Sequence, residues 1–575
     1  MLLFYNKSMK KNICLFFLII LLPFYMNAQV VNDSQIIEGN HWIYDAFNML
    51  ALETTSNSFT NNSPVSAGEL KLYLKNYDKE SLSDNGKEIY DEIEAFLYTK
   101  KNFFPDKAYE AVIGLTLAPE VNYKSNENIA WTNRYNYKSF PLIADFDSGF
   151  SNYVSAGADF FIGKNYKSAN KPDSFTNLPL AFDEIEFMFP RFCYGSAGKT
   201  FDNWGFNVNV GKEGLKIGNT QTGSIIYNNT FETDGYIQLS AFTDDYKFTL
   251  DIIEVSQNKF LYWHQFDARL WKKFKISVME GALINEPFEI RFINPFMVFH
   301  SFSFWKNYST DVENHFYNES HCCAFLGVSF EYNPIKYLRL YGLYAMNEMQ
   351  LPNERYGSNL AYPDSFGLQF GAELKIPSSF GGYWNSRLES VYCSPYLYVK
   401  QAPEWSLYKT RMDMITFSDV NSWIGSPFGP DCFVIDASFG YEKFNKWSCS
   451  LGYQMLLKGE NDFNLFNKKL NYISTKYKGD DTELWSYYPY TEYMLARDEG
   501  NEEGMERAVN KAQDLWMSGC HECTHKIALN GMYAINENMK LEGQFMYLFI
   551  VNAAHISGNF QHGLQTAISF QYKVF

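Results

Sequence analysis

Hydrophobic and polar side chains alternate along the last part of the chain. From residue 541 to 551 every second position is apolar or glycine and belongs to one face, made of Leu541, Gly543, Phe545, Tyr547, Phe549 and Val551. The opposite face includes Glu542 and Gln544. A period of two is typical of an extended strand. The alternation returns between residues 564 and 574, so we expect the chain to end on a β-hairpin.

The same alternation predicts roughly 18 strands between residue 109 and the end of the chain. In one of them Trp204, Phe206 and Val208 alternate with Asn207 and Asn209. The predicted strands are residues 109–122, 139–146, 153–163, 181–193, 204–212, 234–242, 245–253, 261–271, 274–284, 322–332, 337–346, 366–376, 384–399, 432–440, 446–457, 524–534, 541–552 and 564–574. Single-chain outer-membrane barrels have an even number of strands. The pattern therefore predicts an all-β transmembrane barrel of about 18 antiparallel strands.

The predicted connections alternate between short and long. The short ones are residues 243–244, 272–273, 333–336, 377–382, 442–445 and 536–538, and the long ones are residues 297–321, 351–364, 401–431 and 458–523. Outer-membrane barrels have short periplasmic turns and longer external loops. A soluble secreted β-rich protein or an array of β-sandwiches needs no such alternation. Counted back from Phe575, which is taken as periplasmic, the alternation of sides places the region before the first strand in the periplasm.

The first hundred residues have a different pattern. Lys7, Lys10 and Lys11 precede an apolar run at residues 13–24, and Ala28 ends a plausible cleavage site, as in a secretory signal peptide. Residues 40–98 then predict three short amphipathic helices, one of them with Ser66 and Glu69 in capping-box spacing. The chain thus divides into a signal peptide (1–28), a small periplasmic α-helical bundle (29–105) and an outer-membrane β-barrel (106–575) of a diderm bacterium.

Composition agrees with a barrel and restricts its partners. Aromatic residues make up 18% of the 575 residues, with 42 Tyr and 51 Phe, which suits two interfacial girdles. A net charge of −16 argues against nucleic acid as a partner. Of the nine cysteines, all but Cys14 lie beyond the signal peptide. Export raises the possibility of disulfides, whose connectivity the sequence does not give.

The sharpest local motif is the segment 520–525, which contains both C-x-x-C and H-E-x-x-H. A zinc protease carries H-E-x-x-H on a helix, with the glutamate as base. Ser518 and Gly519 end the preceding helical pattern, and residues 526–534 already have a strand pattern, so protease geometry is not expected. Three interpretations stay open: a structural zinc site drawn from Cys520, His521, Cys523 and His525, a disulfide between Cys520 and Cys523, or free thiols.

No other motif indicates catalysis. The chain has no G-x-S-x-G, Walker or G-x-G-x-x-G sequence, so acyl transfer and nucleotide chemistry lack a site. We predict no enzyme activity and no cofactor. An outer-membrane hydrolase would rest only on Glu522 in the poor zinc-protease match.

Aromatic residues of the long connections are candidate ligand contacts. They are Phe304, Trp305 and Tyr308 in one connection and Trp485, Tyr487 and Tyr488 in another. Aromatic rings are amphipathic and can stack on sugars, but the girdles at lipid interfaces use the same residue types. Both interpretations remain open on the sequence.

Two segments also carry an ordered set of motifs. Residues 206–240 contain Val210-Gly211-Lys212 and Thr222-Gly223-Ser224, and residues 261–296 contain Tyr262-Trp263-His264, Glu280-Gly281 and Ile290-Arg291-Phe292-Ile293-Asn294-Pro295. Their order resembles the capsule assembly Wzi family of outer-membrane proteins. The family-like positions are Gly211, Gly223, Ser224, His264, Glu280, Arg291, Asn294 and Pro295. Lys212 and Lys216 depart from that family, which usually has Arg and Trp there.

The resemblance implies a function as well as a fold. It implies an 18-stranded barrel with a helical bundle at its inner mouth that anchors or helps assemble surface polysaccharide, lectin-like and non-catalytic. Inner-face charges would then fill the lumen: Lys247, Asp251, Asp267, Arg269, Glu373 and Lys375. In the alternative, an outer-membrane channel or porin for small solutes, they would line a water path. Expected partners are outer-membrane lipid, surface polysaccharide and, during biogenesis, the barrel assembly machinery.

Overall fold

The structure is a computed structural model. It describes residues 30–574 with these gaps: 58, 61, 99–108, 132–139, 165–174, 189–191, 229–232, 286, 289, 300–321, 401–404, 413–418, 464–468, 473–481 and 486–487. The proposed signal peptide therefore lies outside the described residues.

The main body is a closed antiparallel barrel of 18 strands, as the alternation predicted. The strands are β1 (Tyr109–Leu117 and Glu120–Lys124), β2 (Leu142–Phe150), β3 (Val154–Lys164), β4 (Ile185–Met188 and Cys193–Thr200), β5 (Trp204–Glu213), β6 (Asp234–Thr243), β7 (Tyr246–Ser256), β8 (Lys259–Leu270), β9 (Phe274–Ile284), β10 (Cys322–Tyr332), β11 (Leu338–Glu348), β12 (Ser365–Pro377), β13 (Tyr383–Cys393), β14 (Cys432–Lys443), β15 (Trp447–Lys458), β16 (Glu522–Asn536), β17 (Met539–Val551) and β18 (Phe560–Lys573). The last strand pairs with the first, for example Ile568 with Val121, which closes the sheet.

The two faces of the wall differ as a membrane barrel requires. On β5, Phe206, Val208 and Val210 point outward and are exposed, whereas Asn207 and Asn209 point inward and are buried. The outward face of an outer-membrane barrel is apolar because it meets lipid, and the inward face is polar. The alternation in the sequence therefore reflects which side each residue faces.

The prediction for the fourth strand covers only its shorter part, Ile185–Met188. The pattern pointed to residues 181–193, but the longer part of β4 is Cys193–Thr200, which pairs with β5 from Lys212↔Cys193 to Gly205↔Thr200. Gly195, Ser196 and Gly198 lack the large apolar side chains that mark one face of a strand. A strand with such small residues shows no alternation of apolar and polar side chains in the sequence.

An N-terminal helical region covers one end of the barrel. It contains α1 (Trp42–Thr54), α2 (Ala67–Leu74) and α3 (Asp84–Tyr98), in agreement with the three predicted helices. Ser66 caps α2 by accepting the backbone N–H of Glu69 at 3.3 Å, as the capping-box spacing predicted. The helices share a buried apolar core that includes Phe47, Leu70 and Ile93.

The other end of the barrel carries the long connections. They include α4 (Pro489–Asp498) and α5 (Glu502–Gln513) and two short antiparallel pairs, Tyr408–Met412 with Asp419–Trp423 and Lys469–Tyr472 with Thr482–Trp485. Among the helices that the structure describes, none is long and apolar enough to cross a membrane. We call the two ends the short-turn end and the long-connection end.

Candidate functional site: a closed lumen and an exposed cap

The helical region is fastened to several short turns of the barrel. The backbone N–H of Asn57 donates to the carbonyl of Lys272 at 2.8 Å, and that of Tyr337 donates to Leu52 at 2.6 Å. On another turn the N–H of Gly382 donates to Asn85 Oδ1 at 3.0 Å. Because these contacts lie on separate strand connections, the helices are fixed across the opening at the short-turn end.

A network of buried charges lies between the helices and the wall. Glu373 on β12 accepts from Arg339 at 3.2 Å and from Arg387 at 2.9 Å, both on neighbouring strands. It also accepts from Asn48 of α1 at 3.0 Å. Arg339 is shared with Glu331 at 3.0 Å. A buried charge is tolerated when it is paired and hydrogen-bonded, so this network binds helix and wall together inside the lumen.

The inner-face charges predicted from the sequence are all engaged in such contacts. Lys247 pairs with Glu69 of α2, and Lys375 pairs with Glu442 at 2.9 Å. Arg269 pairs with Asp245 at 3.0 Å and also donates to the Asn57 carbonyl at 2.9 Å. Asp251 accepts from Gln238 and Asp267 accepts from Gln265. Two of these contacts, Lys247 with Glu69 and Arg269 with Asn57, tie the N-terminal region to the wall.

A second segment enters the lumen from the opposite end. It is the connection between β5 and β6, of which residues 214–228 are described, and it places Ile225, Ile226 and Tyr227 in a buried apolar cluster inside the barrel. Lys216 and Ile217 of this segment pair with Ser63 and Asn62 of the N-terminal region. The segments that close the two ends therefore meet inside the barrel. We call residues 214–228 the inner plug.

Polar groups on the wall hold the inner plug in place. Glu389 on β13 accepts the backbone N–H groups of Gln221 at 2.8 Å and Thr222 at 3.0 Å. Gln369 on β12 donates to the carbonyl of Gly223 at 2.9 Å. Gly223 has φ of 108°, a conformation that suits glycine.

Inward-folded segments from other long connections cover the inner plug. The hydroxyl of Tyr398 donates to the carbonyl of Ile225, and the N–H of Asn228 donates to the carbonyl of Ile424 at 2.9 Å. Nearby, Asp234 is fully buried and accepts from Lys409 at 3.0 Å, Arg411 at 2.7 Å and the Tyr227 hydroxyl at 2.7 Å. The long-connection end is thus closed by packed side chains.

The outermost described layer is a cap that leaves aromatic rings exposed. Helices α4 and α5 pack together and against the turn Gly357–Ala361, and Tyr362 stacks on Tyr490 at 4.1 Å. Tyr356, which precedes this turn, is 69% exposed, and Trp516, which follows α5 in the chain, is 52% exposed. Exposed rings at a wet surface can contact the apolar faces of sugars. Tyr356 and Trp516 were not predicted. Tyr356 lies in a polar stretch, whereas Trp516 stands between Leu515 and Met517.

Of the six aromatic residues predicted to contact a ligand, the structure describes the side chain of Tyr488 alone. Phe304, Trp305, Tyr308 and Tyr487 lie outside the described residues, and for Trp485 only the backbone, at the end of a short strand, is described. Tyr488 is 1% exposed and packs edge-on against Tyr396. The prediction that Tyr488 offers its ring to a ligand is therefore wrong, because this ring belongs to the apolar cluster inside the barrel.

The family-like positions divide between the two faces of the wall. Gly211, Gly223 and Ser224 face the interior, and a Cβ on Gly211 would come within 2.7 Å of the Cys193 carbonyl. His264 and Glu280 oppose each other on the outward face of β8 and β9. The segment with Arg291, Asn294 and Pro295 runs over that outward face, where Phe299 lies 4.5 Å from the His264 ring; the side chain of Arg291 is not described. These positions therefore lie at several separate places in the fold.

The cysteine and histidine motif lies at the start of β16, and the candidate disulfide within it stays a prediction. Cys520 and Cys523 are both free thiols. Cys523 lies in β16, where its Sγ is 3.4 Å from His525 Nε2, while His521 contacts the carbonyl of Met517 at 2.8 Å. The strand begins at Glu522, so the two histidines are not on a helix. Within the described residues, no group of three or more His, Cys, Asp or Glu side chains is arranged to hold a metal ion.

Comparison with known proteins supports the fold. No protein-family model matches the chain, and no curated protein matches it in sequence. Among solved structures it is similar to Wzi, an outer-membrane protein involved in group 1 capsule assembly in Escherichia coli and described as a carbohydrate-binding β-barrel: 10% identity, 93% of this chain, 99% of that chain, TM-score 0.52. Lower similarity is found to Pseudomonas aeruginosa OprD (10% identity, 83% and 97% covered, TM-score 0.38) and to Vibrio cholerae OmpT carrying a loop L8 deletion (9%, 81% and 99%, 0.32). The similarity to Wzi shows an outer-membrane type of barrel.

Proposed function

We propose that this protein is an outer-membrane barrel that holds or helps to assemble surface polysaccharide outside the cell, without catalysis. The observation that carries the proposal is the pairing of Ile217 with Asn62, which joins the segments that close the two ends of the lumen. A barrel filled in this way is suited to presenting a surface rather than to passing solute. The exposed cap is then the surface that binds the polysaccharide.

The orientation follows from the lengths of the connections. Barrels of this type have short turns on the periplasmic side and longer loops outside. The short-turn end, with helices α1 to α3, then faces the periplasm, after a signal peptide has directed the chain through the inner membrane. The long-connection end, with Tyr356 and Trp516, faces the medium.

The ligand class is a capsular or exocellular polysaccharide. Stacking of sugar rings on Tyr356 and Trp516 would give contacts that repeat along a polymer, which suits retention of a long chain by many barrels. The similarity of fold to a carbohydrate-binding barrel involved in capsule assembly supports this class. The remaining expected partners are outer-membrane lipid around the wall and the barrel assembly machinery during insertion.

A second candidate, a channel for small solutes, rests on one observation. Asp145 and Asp159 oppose each other on the inward face of β2 and β3, and with Asp147 they are only partly buried. Solvent therefore reaches part of the inner wall near these strands. A narrow path along them would favour cations.

Direct binding tests the first candidate. Polysaccharide purified from the surface of the producing cells is titrated into the purified, folded barrel, and binding is followed by calorimetry. The proposal expects saturable binding that a Tyr356→Ala, Trp516→Ala double variant weakens. A folded barrel that shows no binding over the accessible polymer concentrations would remove the proposal.

A further inference from the structure

Two buried cysteines face each other on neighbouring strands at the long-connection end. Cys393 is the last residue of β13 and Cys432 is the first residue of β14, and the register pairs them directly. Both side chains are 0% exposed. Both are free thiols in this structure.

Their geometry suits a covalent bond. Directly opposed residues of an antiparallel pair have Cα atoms about 4.5–5.5 Å apart and project to the same face. A disulfide spans Cα distances of about 4.4–6.8 Å. We infer that Cys393 and Cys432 are joined by a disulfide in the exported protein, at the base of the connection formed by residues 394–431.

This connection supplies a large part of the packing that closes the barrel. Tyr398, Trp423 and Ile424 lie within it and are buried in the apolar cluster over the inner plug. Beyond the cysteines the N–H of Asp431 donates to the carbonyl of Ser394 at 3.0 Å, so the two strands continue together for one more pair. A disulfide at this point joins both ends of the connection. It lowers the conformational entropy of this loop in the unfolded chain, so ordering the loop costs less.

The bond forms by exchange with a second disulfide, which is the oxidant. The thiolate of one cysteine attacks a sulfur of a protein or small-molecule disulfide in the periplasm and gives a mixed disulfide. The other cysteine, as a thiolate, then attacks the protein sulfur of the mixed disulfide and completes the bond. The oxidant's disulfide is broken, and its two sulfurs leave as one dithiol or as two separate thiols. The two electrons pass to the oxidant, and the two thiol protons leave to solvent or to the released thiolates. Because both side chains are fully buried in the folded barrel, the exchange precedes closure of the plug.

Two other cysteines provide matched controls within the same chain. Cys323 is also buried, but it pairs in register with Leu283 on β9. Cys449 on β15 is exposed and pairs with Tyr441 and Gly531. Neither has a cysteine opposite it in these pairs, so both should remain thiols under the conditions that oxidise Cys393 and Cys432.

The test is peptide mapping of the full-length protein extracted from the outer membrane. The protein is denatured and alkylated with iodoacetamide either directly or after dithiothreitol. We expect the Cys393 and Cys432 peptides to be linked and to react only after reduction, whereas the Cys323 and Cys449 peptides react directly. In Cys393→Ser, Cys432 should react directly, and Cys323→Ser should leave the linked peptide unchanged.

The wild-type map decides the question even if a variant fails to fold. Direct and complete alkylation of Cys393 and Cys432, without reduction, would overturn the inference. A linked peptide that joins either of them to another cysteine, such as Cys520 or Cys523, would overturn it equally.

Discussion

Ile217 pairs with Asn62 in a short antiparallel ladder inside the barrel. Asn62 belongs to the N-terminal region that covers the short-turn end, and Ile217 belongs to the inner plug, which enters from the long-connection end. The N–H of Gly218 also donates to Asn62 Oδ1 at 3.0 Å. One continuous set of contacts therefore crosses the lumen from end to end.

Replacing Ile217 by proline should open this closure. Proline cannot supply the backbone N–H that Ile217 donates to the Tyr227 carbonyl at 3.1 Å, and its ring disfavours a ladder position. We expect Ile217→Pro to give conductance steps in a planar bilayer, whereas the wild type and Ile217→Val stay silent. Conductance in the folded wild type would support the channel instead, and a silent proline variant would mean that the ladder does not close the lumen.

Removing the carboxylate of Glu373 should be costly. Arg339 and Arg387 would lose their common partner, and breaking a buried ion pair from one side costs about 3–5 kcal/mol. We expect Glu373→Ala to lower the free energy of unfolding in urea by roughly that amount. The exposed pair Arg507 with Glu503 supplies the control, since Glu503→Ala should leave the unfolding curve unchanged. Coincident curves for Glu373→Ala and the wild type would contradict the network's role.

Gly223 should not tolerate a side chain. An added Cβ would lie 2.8 Å from Asn228 Nδ2 and 3.0 Å from Pro427 Cδ, and φ of 108° is unfavourable for alanine. We expect Gly223→Ala to lower the free energy of unfolding by more than about 1 kcal/mol. At Gly235 on β6 an added Cβ has no atom within 4 Å, so Gly235→Ala should be neutral by comparison. Equal effects of the two changes would contradict the packing described for the inner plug.

The exposed aromatic residues of the cap should matter for ligand and not for folding. Loss of an aromatic contact that carries binding typically costs more than about 1 kcal/mol, or roughly fivefold in Kd. We expect Tyr356→Ala and Trp516→Ala each to weaken polysaccharide binding at least that much with an unchanged unfolding curve. Trp271→Ala and Phe380→Ala are the controls, because these rings are 85% and 88% exposed at the opposite end. Equal loss in all four variants would argue against a site on the cap.

The strands could be predicted from the sequence because each wall residue must face either lipid or the lumen. Where large apolar side chains mark one face, as on β5, the alternation located the strand, and where small residues replace them, as in Cys193–Thr200 of β4, it did not. The inner-face charges were identified as pointing inward, but their partners in the N-terminal region, such as Asn48 for Glu373, lie hundreds of positions away and leave no local pattern.

The inner plug could not be predicted for a related reason. Ile225, Ile226 and Tyr227 are consecutive apolar residues in a connection, with no period that indicates strand or helix. Their burial depends on wall residues such as Gln369 and on segments that fold in from other connections. Tyr488 was misjudged in the same way, because an aromatic residue in a long connection was expected at the surface although that connection folds back into the barrel.

Retention of surface polysaccharide can be measured directly on cells. The gene is deleted, and cell-bound and shed polysaccharide are quantified separately, with the wild-type gene restored as the control. We expect total polymer to stay constant while most of it moves from the cells to the medium. Unchanged retention after deletion would contradict the account and leave the fold without the proposed function.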